Sequence, residues 1–458
     1  MKFLINNLGP VHDATLELGD LTVLCGANSA GKTYVSYLLY SFFKLLATKF
    51  TLPFPQDLLN KLVDKGFVEI ELKAFEKTIS SSISKFCKVV LDNLSSTFSV
   101  KEDFFANVNV AVDLGNIDIN YSFPISATSS SKIENLVKLS KDPDSSILRV
   151  SVLALDSGEM PPQFFIEDIF QDVIGRFFIK NIFNDVFAIT SERTGIAIFI
   201  RELDISRNAW FEHFKAGQKI EASDIFKYFN KVAARYALPI RDNMDMIRDL
   251  EQTKKGKSFI EDQGVLRGVE NILQGEFVFV NKELVFRSRD PRDKRKKIST
   301  ALHMTSTAVK SLLVLDTYIQ HIAQRGDILL IDEPELGLHP DNQRKVARLL
   351  ASLVRHGVRV FITTHSDYII KEFNNLIMLH SNFEGKMHLL EKYSYEEHDF
   401  IDPSRVKAYM LKSNSLVPVG VSTTQGMALD TFDSVINEMN DSSDEIFLSL
   451  DGHYEQDN

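Results

Sequence analysis

Leu21-Thr22-Val23-Leu24-Cys25, followed directly by Gly26-Ala27-Asn28-Ser29-Ala30-Gly31-Lys32-Thr33, is the stretch on which the fold turns. The first five residues read as a buried strand, and from Tyr34 to about Leu46 the apolar spacing becomes helical. Between them stands G-x-x-x-x-G-K-[ST], in the strand-loop-helix context that this pattern needs. Small residues let successive backbone N–H groups curl around phosphate oxygens at a helix N-terminus. Lys32 adds positive charge toward the outer phosphates, and the Thr33 hydroxyl can ligate Mg²⁺. A plain glycine turn opening a helix has no use for Lys-Thr after its second glycine. All eight residues from Gly26 to Thr33 are candidate nucleotide ligands, with ATP and Mg²⁺ the expected cofactors.

Some 300 residues later, Ile328-Leu329-Leu330-Ile331 runs into Asp332-Glu333-Pro334-Glu335. A four-residue aliphatic run is a strand covered on both faces, and acids at its carboxyl end stand where α/β sheets hold ligands. Asp332, with Thr33, is the candidate magnesium holder. Glu333 is the candidate base that orients and deprotonates the attacking water. Val358 to Thr363 is another buried run, ending at Thr364-His365-Ser366. A histidine past a strand end is often a cap. Beside phosphates, His365 can also contact the terminal phosphate and the attacking water.

The chain has 458 residues, 44% hydrophobic and 25% charged, enough for a large buried interior and more than one ordinary core. Its 34 Phe against one Trp point to aromatic packing between helices. A net charge of -10 argues against nucleic acid coating the whole surface, though not against a local basic groove. Two cysteines, no leader-like start and no apolar run of membrane-spanning length imply a cytoplasmic, reducing setting without membrane contact. The expected division is a nucleotide-binding core over 1–45, a mostly helical insertion over 46–186, and a core strand with an arginine motif over 187–205. A helical insertion over 206–269, core again over 270–385 and a C-terminal extension over 386–458 complete it. Within the first insertion, residues 67–94 carry helical spacing, 108–123 read as a β-hairpin around Gly115-Asn116, and Ser126–Lys132 and Lys138–Ser146 read as surface loops.

These motifs resemble the ABC-type ATPases of the SMC, RecF and OLD group. The resemblance lies in Leu4–Asp13 with Leu21–Thr33, in Ile331 through Asp332-Glu333-Pro334-Glu335-Leu336-Gly337-Leu338-His339 to Pro340, and in Thr363-Thr364-His365-Ser366. Thr305-Ser306-Thr307-Ala308-Val309-Lys310-Ser311-Leu312 resembles the group's signature segment, with Ala308 where glycine is usual. Ser306 is thereby a candidate contact for a partner's nucleotide, or an ordinary helix cap. Ser191-Glu192-Arg193-Thr194-Gly195 resembles a short arginine motif, and a structural salt bridge explains Arg193 equally well. No glutamine loop stands out after the first helix.

What the resemblance implies is a P-loop NTPase core of α/β class with a mixed sheet. It also implies a homodimer or higher homo-oligomer in which nucleotide on Lys32 of one copy meets Ser306 of another. Catalytic roles fall to Lys32, Glu333 and His365. The expected biology is a sensor or scaffold controlling a separately encoded effector, a nuclease or toxin, in antiphage defence of the Septu or PARIS sort. The alternative is a RecF-like repair clamp on duplex DNA. It is motivated by Arg287, Arg289, Arg292, Lys294, Arg295, Lys296 and Lys297, which could equally be a solvated loop.

Overall fold

A computed structural model describes residues 1–115, 125–128, 137–142, 145–152, 163–199, 236–290, 293, 295–429 and 433–454. Its main sheet is built from the apolar runs read above. Five strands lie parallel at its centre, in the spatial order β9 (Val186–Ile189), β13 (Ile328–Asp332), β14 (Arg359–Thr364), β3 (Leu21–Gly26) and β15 (Val406–Lys412). Beyond β15 the sheet turns mixed. Antiparallel β16 (Ser415–Val419) follows, then β2 (Val11–Glu17), β1 (Lys2–Leu8) and β5 (Asn109–Asp113) at the edge.

Helices cover both faces, which is why the central strands are continuous apolar runs rather than alternating ones. One face carries α1 (Lys32–Lys49), α2 (Gln56–Lys65), α3 (Leu72–Phe98) and α4 (Gln163–Ile182), packed on Phe3, Ile5, Leu24, Leu330 and Phe361. α5 (Leu238–Arg248) flanks the β9 edge, where it meets α1 and α3, and the other face carries α6 (Thr307–Thr317), α7 (Pro340–Arg355) and α8 (Asp367–Met378), packed on Val23, Cys25, Leu329, Ile331 and Ile362. Two further helices follow, α9 (Lys386–Tyr393) and the acidic α10 (Asp433–Tyr454). Phenylalanines bind the first layer together: Phe3 meets Phe42 edge-on at 5.1 Å, Phe43 meets Phe183 at 5.0 Å, and Phe54 meets Phe170 at 4.5 Å.

The first insertion contains more strand than its spacing suggests. Residues 67–71 form β4 (Phe67–Glu71) before α3 begins, because Val68 and Ile70 alternate inward with exposed neighbours. Lys138–Ser146 is not simply loop: β7 (Val137–Lys141) pairs between β6 (Ile125–Thr128) and β8 (Ile147–Val152), with Leu139 turned into the core. Of the expected hairpin, Val110 and Val112 lie in β5, whose partner is β1 in the main sheet; residues 116–124 lie outside the described residues. Of the basic run, Arg287, Arg289 and Lys297 fall on a three-stranded ribbon of β10 (Gly275–Val280), β11 (Glu283–Arg289) and β12 (Lys297–Ala301). Among the described residues, no helix is long and apolar enough to cross a membrane.

Candidate nucleotide site

The phosphate loop is shaped by the positions where side chains would collide. Gly31 sits at φ 109°, and a Cβ there would lie 2.8 Å from the Pro10 ring and from Val11. Gly26, at φ 158°, leaves room for Leu411 of β15, whose Cβ would stand 3.0 Å away. Lys32 opens α1, is buried, and donates through Nζ to the carbonyls of Gly26 at 2.8 Å and Ala27 at 3.0 Å. Its ammonium is thus folded back over the loop, while Ala27, Asn28, Ser29 and Thr33 face solvent and Ala30 is half-buried.

Strand order brings the distant motifs to this loop. Thr364 is in register with Cys25, and Thr363 with both Leu24 and Asp332. Gly26, His365 and Glu333 therefore leave three adjacent strands side by side, the outer two separated by about 10 Å at ~4.8 Å per strand. Charge reports the same convergence. Burial pushes the Cys25 thiol up to about 12, with Glu335 adding to the rise and Lys32 opposing it.

Asp332 ends β13 wholly buried. Burial pushes its carboxyl up to about 6, against hydrogen bonding from Thr363 and Ser36 that favours the ionised form, with Glu192 adding to the rise and Arg193 opposing it. The Thr363 hydroxyl donates to Oδ1 at 2.9 Å, and Oδ2 is buried without a hydrogen-bond partner among the described residues. Ser36 lies one turn beyond Thr33 on the same side of α1, so the Thr33 hydroxyl and Asp332 bracket one end of that helix.

Glu333 occupies the left-handed region at φ 50°, its N–H held by the Thr363 carbonyl at 2.9 Å. His365 Nδ1 stands 3.8 Å from Glu333 Oε1 and 3.9 Å from Glu335 Oε1, with no hydrogen-bond partner among the described residues. Glu335 Oε1 receives the Thr364 hydroxyl at 2.8 Å and the His365 N–H at 2.9 Å, which clamps the histidine turn to the acidic turn. Glu335 was legible only as the second glutamate of Asp-Glu-Pro-Glu. Its role depends on a contact across strands.

Among the described residues, Arg193 forms no salt bridge of the expected sort. It is 1% exposed, and its guanidinium donates to four backbone carbonyls: Thr190 at 3.0 Å, Ser311 at 3.0 Å, Asp332 at 2.8 Å and Glu333 at 2.6 Å. Burial pulls its pKa down to about 10 while the surrounding acids, Glu335 first, hold it up, so it stays charged at neutral pH. Its neighbour Glu192 accepts the Tyr37 hydroxyl at 3.4 Å, joining this segment to α1.

Ser306 caps α6, accepting the Val309 N–H at 3.4 Å, and is exposed. The start of α6 packs on the loop after the acidic strand, where a Cβ on Gly337 would lie 2.6 Å from Thr307. Among the described residues, no hydrogen bond links Ser306 to Lys32, Asp332 or Glu333 of its own chain.

Residues 225–370 match a family model described as the AAA ATPase domain. The match takes in Ser306, the acidic strand and His365, and leaves out the phosphate loop. No curated protein matches the chain. Among solved structures, it is similar to an SMC head bound to the C-winged helix domain of ScpA, at 10% identity over 92% of this chain and 97% of that one, TM-score 0.32. An SMC head from Pyrococcus furiosus with an extended coiled coil, bound to the C-terminal domain of ScpA, gives 13%, 96%, 98% and 0.30. The SMC head domain of Thermotoga maritima gives 10%, 92%, 98% and 0.29. Superpositions this loose bear no weight, and the α/β class with its phosphate loop rests on strand order and loop geometry. What the chain shares with known proteins over residues 225–370 is similarity to an AAA ATPase domain, here set on a mixed-sheet P-loop fold.

Proposed function

We propose that this chain binds ATP with Mg²⁺ and hydrolyses it, as an ABC-type ATPase acting in pairs of copies. The observation that carries the reading is the meeting of Lys32, Asp332, Glu333 and His365 at the ends of three neighbouring strands. The unpartnered, buried Oδ2 of Asp332 beside the Thr33 end of α1 suits a hard cation that keeps few protein ligands and takes the rest from phosphates and water. Bound there, Mg²⁺ would neutralise charge on the β- and γ-phosphates. Lys32 and the N–H groups of Gly26 to Thr33 hold those phosphates. Glu333 takes a proton from the water that attacks γ-phosphorus as the bond to the bridging oxygen breaks, giving ADP and phosphate. His365, at hydrogen-bonding range after a small rotation, orients that water.

The nucleoside has room beside the loop. A cavity of about 740 Å³ is lined by Asn7, Gly9, Pro10, Tyr34, Phe104 and Asn107, with Pro10 against Gly31 and Tyr34 next to Thr33. Phe104 is 54% exposed there, a ring available for a base to stack on. The exposed cap Ser306 supports the paired arrangement: its α6 end is turned outward, where a second copy's phosphate can reach it.

For biological setting, the reading is a sensor or scaffold that controls a separate effector protein, a nuclease or toxin, in antiphage defence. It is supported by α10, which bears acids and no Lys or Arg while exposing Met439, Ile446, Phe447 and Leu448 to solvent, a surface suited to a basic-apolar protein partner. The second reading is a DNA clamp. On the ribbon Arg289 stands directly opposite Lys297, a like-charge pair that an anion would relieve. Against it, Arg287 and Lys297 reach Glu276 at 3.8 and 2.8 Å and Lys296 reaches Asp293 at 3.9 Å; Arg292 and Lys294 lie outside the described residues. The deciding experiment is ATP binding and phosphate release by the parent, Lys32→Ala and Glu333→Gln. Lys32→Ala should lose binding, and Glu333→Gln should bind, accumulate as a dimer and release no phosphate. A Glu333→Gln chain that turns over at the parent rate removes the assignment. A duplex affinity that needs ATP and falls steeply with salt favours the clamp.

A further inference from the structure

Among the described residues Arg193 is the largest fully buried side chain, and the hydrolytic chemistry proposed above gives it nothing to do. Its placement is specific. Four of its five donors are used, all on backbone carbonyls, and those carbonyls belong to three separate segments: the end of β9, the acidic turn after β13, and the middle of α6. Two of them, Asp332 and Glu333, are the residues proposed to hold the metal and prepare the water. Glu333 keeps a left-handed backbone that a non-glycine residue adopts only when its surroundings hold it there. Its N–H is held from β14 and its carbonyl from Arg193, at 2.9 and 2.6 Å.

The third segment gives the contact its direction. Ser311 lies five residues into the helix that Ser306 caps, about 7.5 Å along its axis at ~1.5 Å per residue. A movement of that helix end therefore reaches the acidic turn through one rigid, planar group, with no flexible side chain between.

We propose that Arg193 is a positioning residue that sets the Glu333 turn and ties it to the Ser306-capped helix, so that engagement of that helix by a second copy's nucleotide governs water activation. The proposal rests on the hydrolytic reading. Lysine cannot reproduce the fork: it keeps the charge but offers a single nitrogen to carbonyls in three directions. A displacement of about 1 Å at a reacting group costs about 10²-fold in rate.

The test compares the parent, Arg193→Lys and Arg193→Gln for ATP affinity, kcat, KM, melting midpoint, and turnover as chain concentration rises through dimer formation. Expected for Arg193→Lys is a fall in kcat of about 10- to 100-fold, with KM and ATP affinity within about threefold. Its dimer should form with ATP but no longer raise turnover per chain. Arg193→Gln, neutral and of shorter reach, should behave alike and serves if the lysine form does not fold. A folded variant with parental kcat overturns the proposal. So does affinity lost in step with kcat, or failure of both variants to fold even with a non-hydrolysable ATP analogue, either of which makes Arg193 a structural strut. A parent that hydrolyses no ATP at any concentration sinks the enzymatic reading instead.

Discussion

Replacing Asp332 by Asn should stabilise the nucleotide-free protein at neutral pH while removing its Mg²⁺-dependent chemistry. Asp332 is 2% exposed, and burial pushes its carboxyl up to about 6. The folded protein therefore holds the proton more tightly than the unfolded chain, whose aspartates titrate near ~3.9. Below about pH 4 both states are protonated and the group is neutral in the balance. Between about 4 and 6 the unfolded chain ionises first, so stability declines as pH rises; above about 6 the penalty is complete and constant. About two pKa units at ~1.36 kcal/mol each give a cost of about 3 kcal/mol. Asparagine has no charge to bury, and its carbonyl keeps the Thr363 hydroxyl. Its NH₂ needs an acceptor, which the Ser36 hydroxyl can supply; an imperfect fit returns about 1–2 kcal/mol.

The net expectation is a gain of about 1–2 kcal/mol for Asp332→Asn above pH 7, shrinking to nothing near pH 5. Unfolding of parent and variant in EDTA from pH 5 to 8 reads the difference directly. Saturating Mg²⁺–ATP should then invert the order, since the parent gains about 2.7 kcal/mol at a hundredfold excess over Kd and the variant gains little. Parallel stability curves across the whole pH range would refute the placing of an ionised carboxylate in a buried position where desolvation outweighs its hydrogen bonds.

Other expectations follow from the same geometry. His365→Ala should lower kcat by about 10- to 100-fold while moving ATP affinity less than threefold, measured as phosphate release against equilibrium binding. Phe104→Ala should weaken ATP by about 5- to 100-fold, the worth of one base stacked on an aromatic ring, and leave inorganic tripolyphosphate binding unchanged. Equal losses for both ligands would move the base elsewhere. Glu335→Ala should loosen the histidine turn, because it removes the one buried oxygen that takes both the Thr364 hydroxyl and the His365 N–H; a loss of kcat with intact ATP binding is the expected readout.

Short-range signals were dependable in this chain. Gly26 to Thr33 declares a phosphate loop because the turn demands its residue types at fixed local offsets, with Gly31 held at φ 109° just before the helix. Ser306 reads as a cap because capping is satisfied three residues away, at Val309. Buried strands such as Leu329 to Ile331 declare themselves through unbroken apolar runs. The shortfalls occur where short elements mimic their surroundings. Phe67 to Glu71 looks like the first turn of the helix it precedes, and the two lysines and one serine of Lys138 to Lys141 hide a strand whose partners lie on either side.

Local chemistry in the sequence thus determined which segments bend, cap and bury, and it nominated the residues proposed to handle phosphate, metal and water. Only tertiary structure decided that β3, β14 and β13 are neighbours, placing Lys32 beside acids some 300 positions away. Tertiary structure alone also turned Arg193 from a salt-bridge candidate into a clamp on four carbonyls. The physical reason is that every residue carries a carbonyl, so a side chain that binds backbone leaves no complementary letter in the sequence, and pairing between strands is chosen by the whole sheet rather than by either strand.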